Sequence, residues 1–162
     1  MGSTEDYYER LYQELRGLAQ KRVMAGGNLE PTELVAEVYV KLQGRAWADT
    51  EHFWATAAKA MRQVLVDRAR YRARDKRPDP ALQVTLNPEL HGAEPAGPNA
   101  LLEIDQALSE LEASMPRAAQ VAEMRVFAGM THEEIARVLG VSDRTVKTDW
   151  RAARAFLKVR LQ

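Results

Sequence analysis

Apolar residues recur along most of this chain at three- and four-residue spacing, the period of helices that bury one face. Between Glu5 and Met24 the set is Tyr8, Leu11, Tyr12, Leu15, Leu18 and Ala19, which predicts a first amphipathic helix. Ala25-Gly-Gly-Asn28 breaks it, and because no Gly-Lys-Ser/Thr follows, the glycine pair reads as a turn and not as a phosphate loop. Pro31 and Thr32 open a second helix, with Leu34, Val35, Val38 and Leu42 on its buried stripe. A long pattern from Glu51 places Phe53, Ala57, Ala60, Met61, Val64, Leu65 and Ala69 inward, then turns almost purely charged up to Arg77.

Periodicity fades between Pro78 and Pro98, where five prolines and two glycines fall. A structureless run of that length is unusual inside one compact domain. The expectation is therefore an all-α chain of two small helical domains, residues 1–77 and 98–162, joined by a Pro/Gly-rich acidic linker over 78–97. In the second domain Asn99 to Ala113 is an amphipathic helix with Leu101, Leu102, Ile104, Leu108 and Leu111 inward. Ser114 and Pro116 are expected to restart the chain as cap and first-turn proline, and Gly129 to close the helix that follows.

The stretch from Met130 to Arg154 carries the most specific local signals. Thr131 with Glu134 three residues on forms a capping box, Gly140 suits a left-handed helix end, and Ser142 can cap the next helix. These predict helix, tight turn, helix. At about 100° per residue, Val146, Trp150, Ala153 and Leu157 fall on one side of the last helix. Arg144, Lys147, Thr148, Arg151 and Arg154 fall on the other. A solvated cationic face explains a lone helix of this kind; the capped first helix and short turn before it favour a DNA-reading unit whose second helix enters the major groove.

Charge sharpens this picture. The 162 residues carry 23 cationic and 23 acidic side chains, so the net charge is zero. The two signs are segregated. From Lys59 to Arg77 there are eight cationic residues against Asp67 and Asp75, whereas from Pro78 to Glu123 eight carboxylates face only Arg117. Such a chain meets DNA through local patches, and its free form need not be a strong general DNA binder. Trp47 and Tyr71 beside the cationic helix suit melted DNA, whose bases stack on aromatic rings. Trp47 and Phe53 could instead staple the start of the long helix. Glu33, Glu37 and Lys41 line one face of the second helix, where Glu37 and Lys41 can pair; that face is either a docking surface or merely solvated.

No catalytic constellation is present. His52, His91 and His132 are scattered without metal-ligand spacing, and neither a nucleophile elbow nor a phosphate-cradling loop occurs, so no enzyme, metal site or cofactor is expected. With no cysteine, no apolar run of membrane-spanning length and a polar N-terminus, the expected compartment is the cytoplasm.

Taken in order, these elements resemble the extracytoplasmic-function group of bacterial sigma-70 factors, the subunits that give RNA polymerase its promoter choice. Glu33-Leu-Val-Ala-Glu-Val-Tyr-Val-Lys-Leu42 is similar to a region 2 helix of that family, His52-Phe53 through Arg77 to its promoter-melting helix with Asp67-Arg68 as its Asp-Arg pair, and Thr131 to Arg154 to its region 4 helix-turn-helix. Gln63 and Ala36 stand where many members carry asparagine and glutamine, and Asp149 where a basic residue is frequent, departures that bear on promoter sequence and not on fold.

The resemblance implies a set of roles. Region 2, residues 1–77, would dock on the clamp helices of the polymerase's largest catalytic subunit through Glu33, Leu34, Glu37, Val38 and Lys41. It would capture the downstream "minus ten" element with Trp47, Lys59, Arg62, Gln63, Arg68 and Arg70. Region 4, residues 98–162, would meet the flap of the second-largest subunit and read the upstream "minus thirty-five" element with Ser142, Arg144, Thr145, Lys147, Thr148, Arg151 and Arg154. Core polymerase and promoter DNA are the implied partners, an anti-sigma protein is a further one, and the membrane is not. A stand-alone helix-turn-helix regulator is the alternative, and a helical adaptor without a DNA role a third reading.

Overall fold

The computed structural model describes residues 31–42, 50–75 and 98–161, and all six helices among them join in one all-α arrangement. Trp47, the first helix expected over Glu5 to Met24 and the linker over 78–97 lie outside the described residues. Helix α1 (Pro31–Leu42) starts at its proline, whose missing N–H costs nothing at a helix start. Its Leu34, Val35, Val38 and Leu42 are buried as the period requires. Helix α2 (Thr50–Asp75) has 26 residues, about 39 Å at the usual rise, and is the axis of the fold. It packs against α1 and also against three of the later helices.

Those are α3 (Pro98–Ser114), α4 (Pro116–Val126) and α5 (His132–Leu139); α6 (Asp143–Arg160) packs in turn on α3, α4 and α5. The α3–α4 break differs from expectation. Ser114 is the last residue of α3, its hydroxyl donating to the Leu111 carbonyl at 3.3 Å, and Met115 caps α4 without a side-chain bond. The cause is Pro116. A residue before proline is pushed out of the helical region, so the chain breaks at Met115, which adopts φ −139°, ψ 76°.

One apolar core runs through both groups of helices. Phe53, Ala57, Met61, Val64 and Leu65 of α2 belong to it together with Leu101, Ile104, Leu108 and Leu111 of α3 and Val146, Trp150, Ala153 and Leu157 of α6. Phe53 meets Trp54 edge to face, centroids 5.8 Å apart, so Phe53 is a core residue at the start of α2. No helix among the described residues is long and apolar enough to cross a membrane, and no His/Cys/Asp/Glu group among them could hold a metal ion.

Candidate nucleic-acid interface

The α5–turn–α6 unit is built as its residues dictate. Thr131 is extended, its hydroxyl accepting from the Glu134 N–H at 3.2 Å while its own N–H donates to Glu134 Oε1 at 3.0 Å. Two otherwise orphaned amides at the start of α5 are thereby satisfied. Gly140 ends α5 at φ 67°, ψ 34°, a left-handed conformation that costs glycine little and most residues about 1 kcal/mol or more. Ser142 then caps α6, accepting from the Thr145 N–H at 3.1 Å. Only residues 140–142 separate the two helices.

That short turn fixes the rotation of α6. Val146, Trp150, Ala153 and Leu157 face the core, and Ser142, Arg144, Lys147, Thr148 and Arg151 lie exposed, with Thr145 and Arg154 half-buried. Lys147 pairs within the helix with Asp143 at 3.1 Å, an exposed contact of the kind worth little. Arg144 and Arg151 meet no acidic partner among the described residues, so their charge is available to an external anion. Asp149 faces away from this surface: Arg117 of α4 donates to its carboxylate at 2.6 Å. The hydrogen bond and the charge of Asp149 hold the Arg117 guanidinium above its ordinary pKa. Asp149 thus braces α6 on α4, which accounts for an acid in the middle of this mainly cationic helix. Arg125 adds a second tie, lying 5.5 Å from the Trp150 ring centroid and donating to the Met130 carbonyl at 3.1 Å.

The cationic stretch of α2 is placed differently. Lys59, Gln63 and Arg70 are exposed, but Arg68 reaches back to α1, pairing with Glu37 and, at 3.7 Å, with Glu33. Glu37 therefore takes Arg68 and not Lys41, which stays exposed. Leu34 and Val38 are 0% and 1% exposed, so they anchor α1 from within while Glu33, Glu37 and Lys41 form its outer face.

Arg62 is turned inward, toward α3 and α4. Its Nε donates to Asp105 Oδ1 at 2.7 Å, Nη1 to Glu123 Oε2 at 3.0 Å, and Nη2 to the Asp105 carbonyl at 3.0 Å and to Ser109 Oγ at 3.2 Å. Burial opposes its charge, but the hydrogen bonds and charges of Glu123 and Asp105 outweigh that and hold the guanidinium above its ordinary pKa. Arg70 approaches the other Asp105 oxygen at 3.5 Å. The sign change between Lys59–Arg77 and Pro78–Glu123 signalled such complementarity in the sequence, although nothing local named the partners.

The structure thus brings Ser142, Arg144, Lys147, Thr148 and Arg151 together on the exposed side of α6, with Thr145 and Arg154 half-buried, and divides the described downstream candidates between exposed positions and internal ion pairs. No curated protein and no solved structure matches the chain. The family model of the ECF sigma factor matches residues 2–162. The chain accordingly belongs to the ECF sigma factor family, whose members direct RNA polymerase to promoters.

Proposed function

We propose that this sigma factor works through two halves, region 2 over residues 1–77 and region 4 over residues 98–162, with 78–97 as the linker. In this reading α6 lies in the major groove of the minus thirty-five element. Arg144, Lys147, Thr148 and Arg151 then face base edges and phosphates, with Ser142, Thr145 and Arg154 beside them. The observation that carries it is the division of α6, apolar on the side held by α3, α4 and α5 and cationic and uncovered on the other.

For the downstream element the proposed contacts are Trp47, Lys59, Arg62, Gln63, Arg68 and Arg70. For the polymerase clamp helices the docking surface is the outer face of α1, with Glu33, Glu37 and Lys41 presented and Leu34 and Val38 supporting them. Region 4 would meet the flap of the second-largest subunit. An anti-sigma partner would act by covering these same surfaces, which competition with core polymerase in a pull-down would reveal. The protein works in the cytoplasm as a non-catalytic subunit and needs no cofactor.

Promoter selection with reconstituted polymerase, followed by Arg144→Ala and Lys147→Ala, tests the assignment. Each variant is expected to weaken upstream-element recognition by about 1–3 kcal/mol if its lost contact is to a base, with relaxed preference at one promoter position. A loss uniform across promoter sequences would assign that residue to phosphate, and no loss in either variant would remove α6 from the groove.

A further inference from the structure

Two charges in this chain stand apart from their surroundings. Arg117 is the one cation between Pro78 and Glu123, and it sits in the first turn of α4, where the helix dipole disfavours positive charge and no acidic residue offsets it. Asp149 lies in the middle of α6, between Lys147 and Arg151. Each accounts for the other. Arg117 Nε donates to Asp149 Oδ2 at 2.6 Å and Nη2 to Oδ1 at 3.4 Å, a two-pronged contact that fixes the plane of the carboxylate. The Asp149 side chain is 15% exposed, so water does little to replace that partner. Arg125, about two turns further along α4, lies over the Trp150 ring, 5.5 Å from its centroid.

The two contacts grip α6 on opposite flanks. At about 100° per residue, Asp149 falls roughly 60° to one side of the buried line through Val146, Ala153 and Leu157, and Trp150 roughly 40° to the other. Rotation of α6 about its own axis stretches one contact or the other. The turn over residues 140–142 sets that rotation at the start of α6, and the α4 contacts hold it about two turns further on, beside Lys147, Thr148 and Arg151. The requirement is tight. A helix with its side chains is about 11 Å across, so a rotation of about 20° carries its outer edge about 2 Å, more than a hydrogen bond tolerates. We propose that α4 clamps α6 in rotation through Arg117 on Asp149 and Arg125 on Trp150, and that Arg117 is thereby a positioning residue for promoter choice, setting which base pairs Arg144, Lys147 and Arg151 address. The inference rests on the reading of α6 as the helix in the major groove.

Run-off transcription by the full-length protein with reconstituted core polymerase tests the clamp, on a selected promoter and on copies that each carry one changed base pair in the upstream element. Arg117→Ala and Asp149→Asn are each expected to lower the discrimination between them roughly three- to tenfold. The double variant should lose no more than either single one, because both remove the same contact. Since Arg117→Ala strands a covered carboxylate and lowers the melting temperature, the exchanged pair, Arg117→Asp with Asp149→Arg, is the control for stability. It rebuilds the ion pair in reverse and should restore most of the discrimination. Unchanged discrimination in both single variants, or an exchanged pair that recovers the melting temperature but not the discrimination, would overturn the clamp. So would a loss uniform across promoters in Arg117→Ala with a gain in Asp149→Asn, the pattern of an arginine that binds phosphate directly. Arg144→Ala and Lys147→Ala, run alongside, separate the two readings. Relaxed preference in either of these with none in Arg117→Ala or Asp149→Asn sinks the clamp alone, whereas no loss in any of the four removes α6 from the groove and the clamp's role with it.

Discussion

Thr131, Gly140 and Ser142 set the geometry of the α5–turn–α6 unit, and their contributions can be separated. Thr131→Ala removes a hydroxyl that satisfies the Glu134 N–H and should cost about 1 kcal/mol in chemical denaturation. At Gly140 an added Cβ meets nothing within 4 Å, so the penalty of Gly140→Ala comes from the backbone alone. It should amount to about 1 kcal/mol, with Gly140→Asn costing less because asparagine tolerates the left-handed region. A loss of several kcal/mol would mean that the turn is also packed, contrary to the open space around it. These three residues were legible in the sequence because capping and left-handed termini are local: donor, acceptor and special φ lie within four positions of one another. Asp149 was not. Its partner Arg117 is 32 residues away, and an acid within a cationic helix gives no hint of a brace to another helix.

Helices α1 and α2 show how far periodicity reaches. The stripe Leu34, Val35, Val38 and Leu42 is buried throughout, and the inward set of α2 from Phe53 to Ala69 likewise, because a 3.6-residue period settles which side faces a core. Periodicity does not say which exposed charges pair. Glu37 and Lys41 can pair at i, i+4 spacing, yet Arg68 of α2 takes that carboxylate, since tertiary packing brings a cation from another helix into range. Lys41 is thus the cleaner probe of the outer face of α1. Lys41→Glu is expected to reduce pull-down of core polymerase with helix content and melting temperature unchanged; undiminished pull-down would remove α1 from the docking surface. Leu34→Ala acts in the opposite sense, costing about 2–5 kcal/mol of stability through a cavity under the same helix. If Leu34→Ala impairs polymerase binding only in step with unfolding, Leu34 supports the surface and does not belong to it.

At the scale of the whole molecule, segregation of charge matters more than its sum. A chain with no net charge carries a basic α2 and an acidic α3, and the fold sets one on the other through Arg62, whose partners Asp105 and Glu123 lie 43 and 61 residues away. The family and the helical class were legible from ordered local motifs, whereas this pairing was not, because it depends on which two faces meet across the chain. It has a direct consequence for DNA binding. Among the described residues Arg62 is occupied and Arg68 tied to α1, whereas Arg144 and Arg151 of α6 meet no acidic partner. On the proposed reading, promoter specificity is expressed in full only once core polymerase fixes the spacing between the two DNA contacts. The most direct test compares gel shifts and run-off transcription on one selected promoter with and without core polymerase. The account predicts a sequence-specific complex and run-off transcripts only when core is present; tight, sequence-specific binding by the free chain would contradict it.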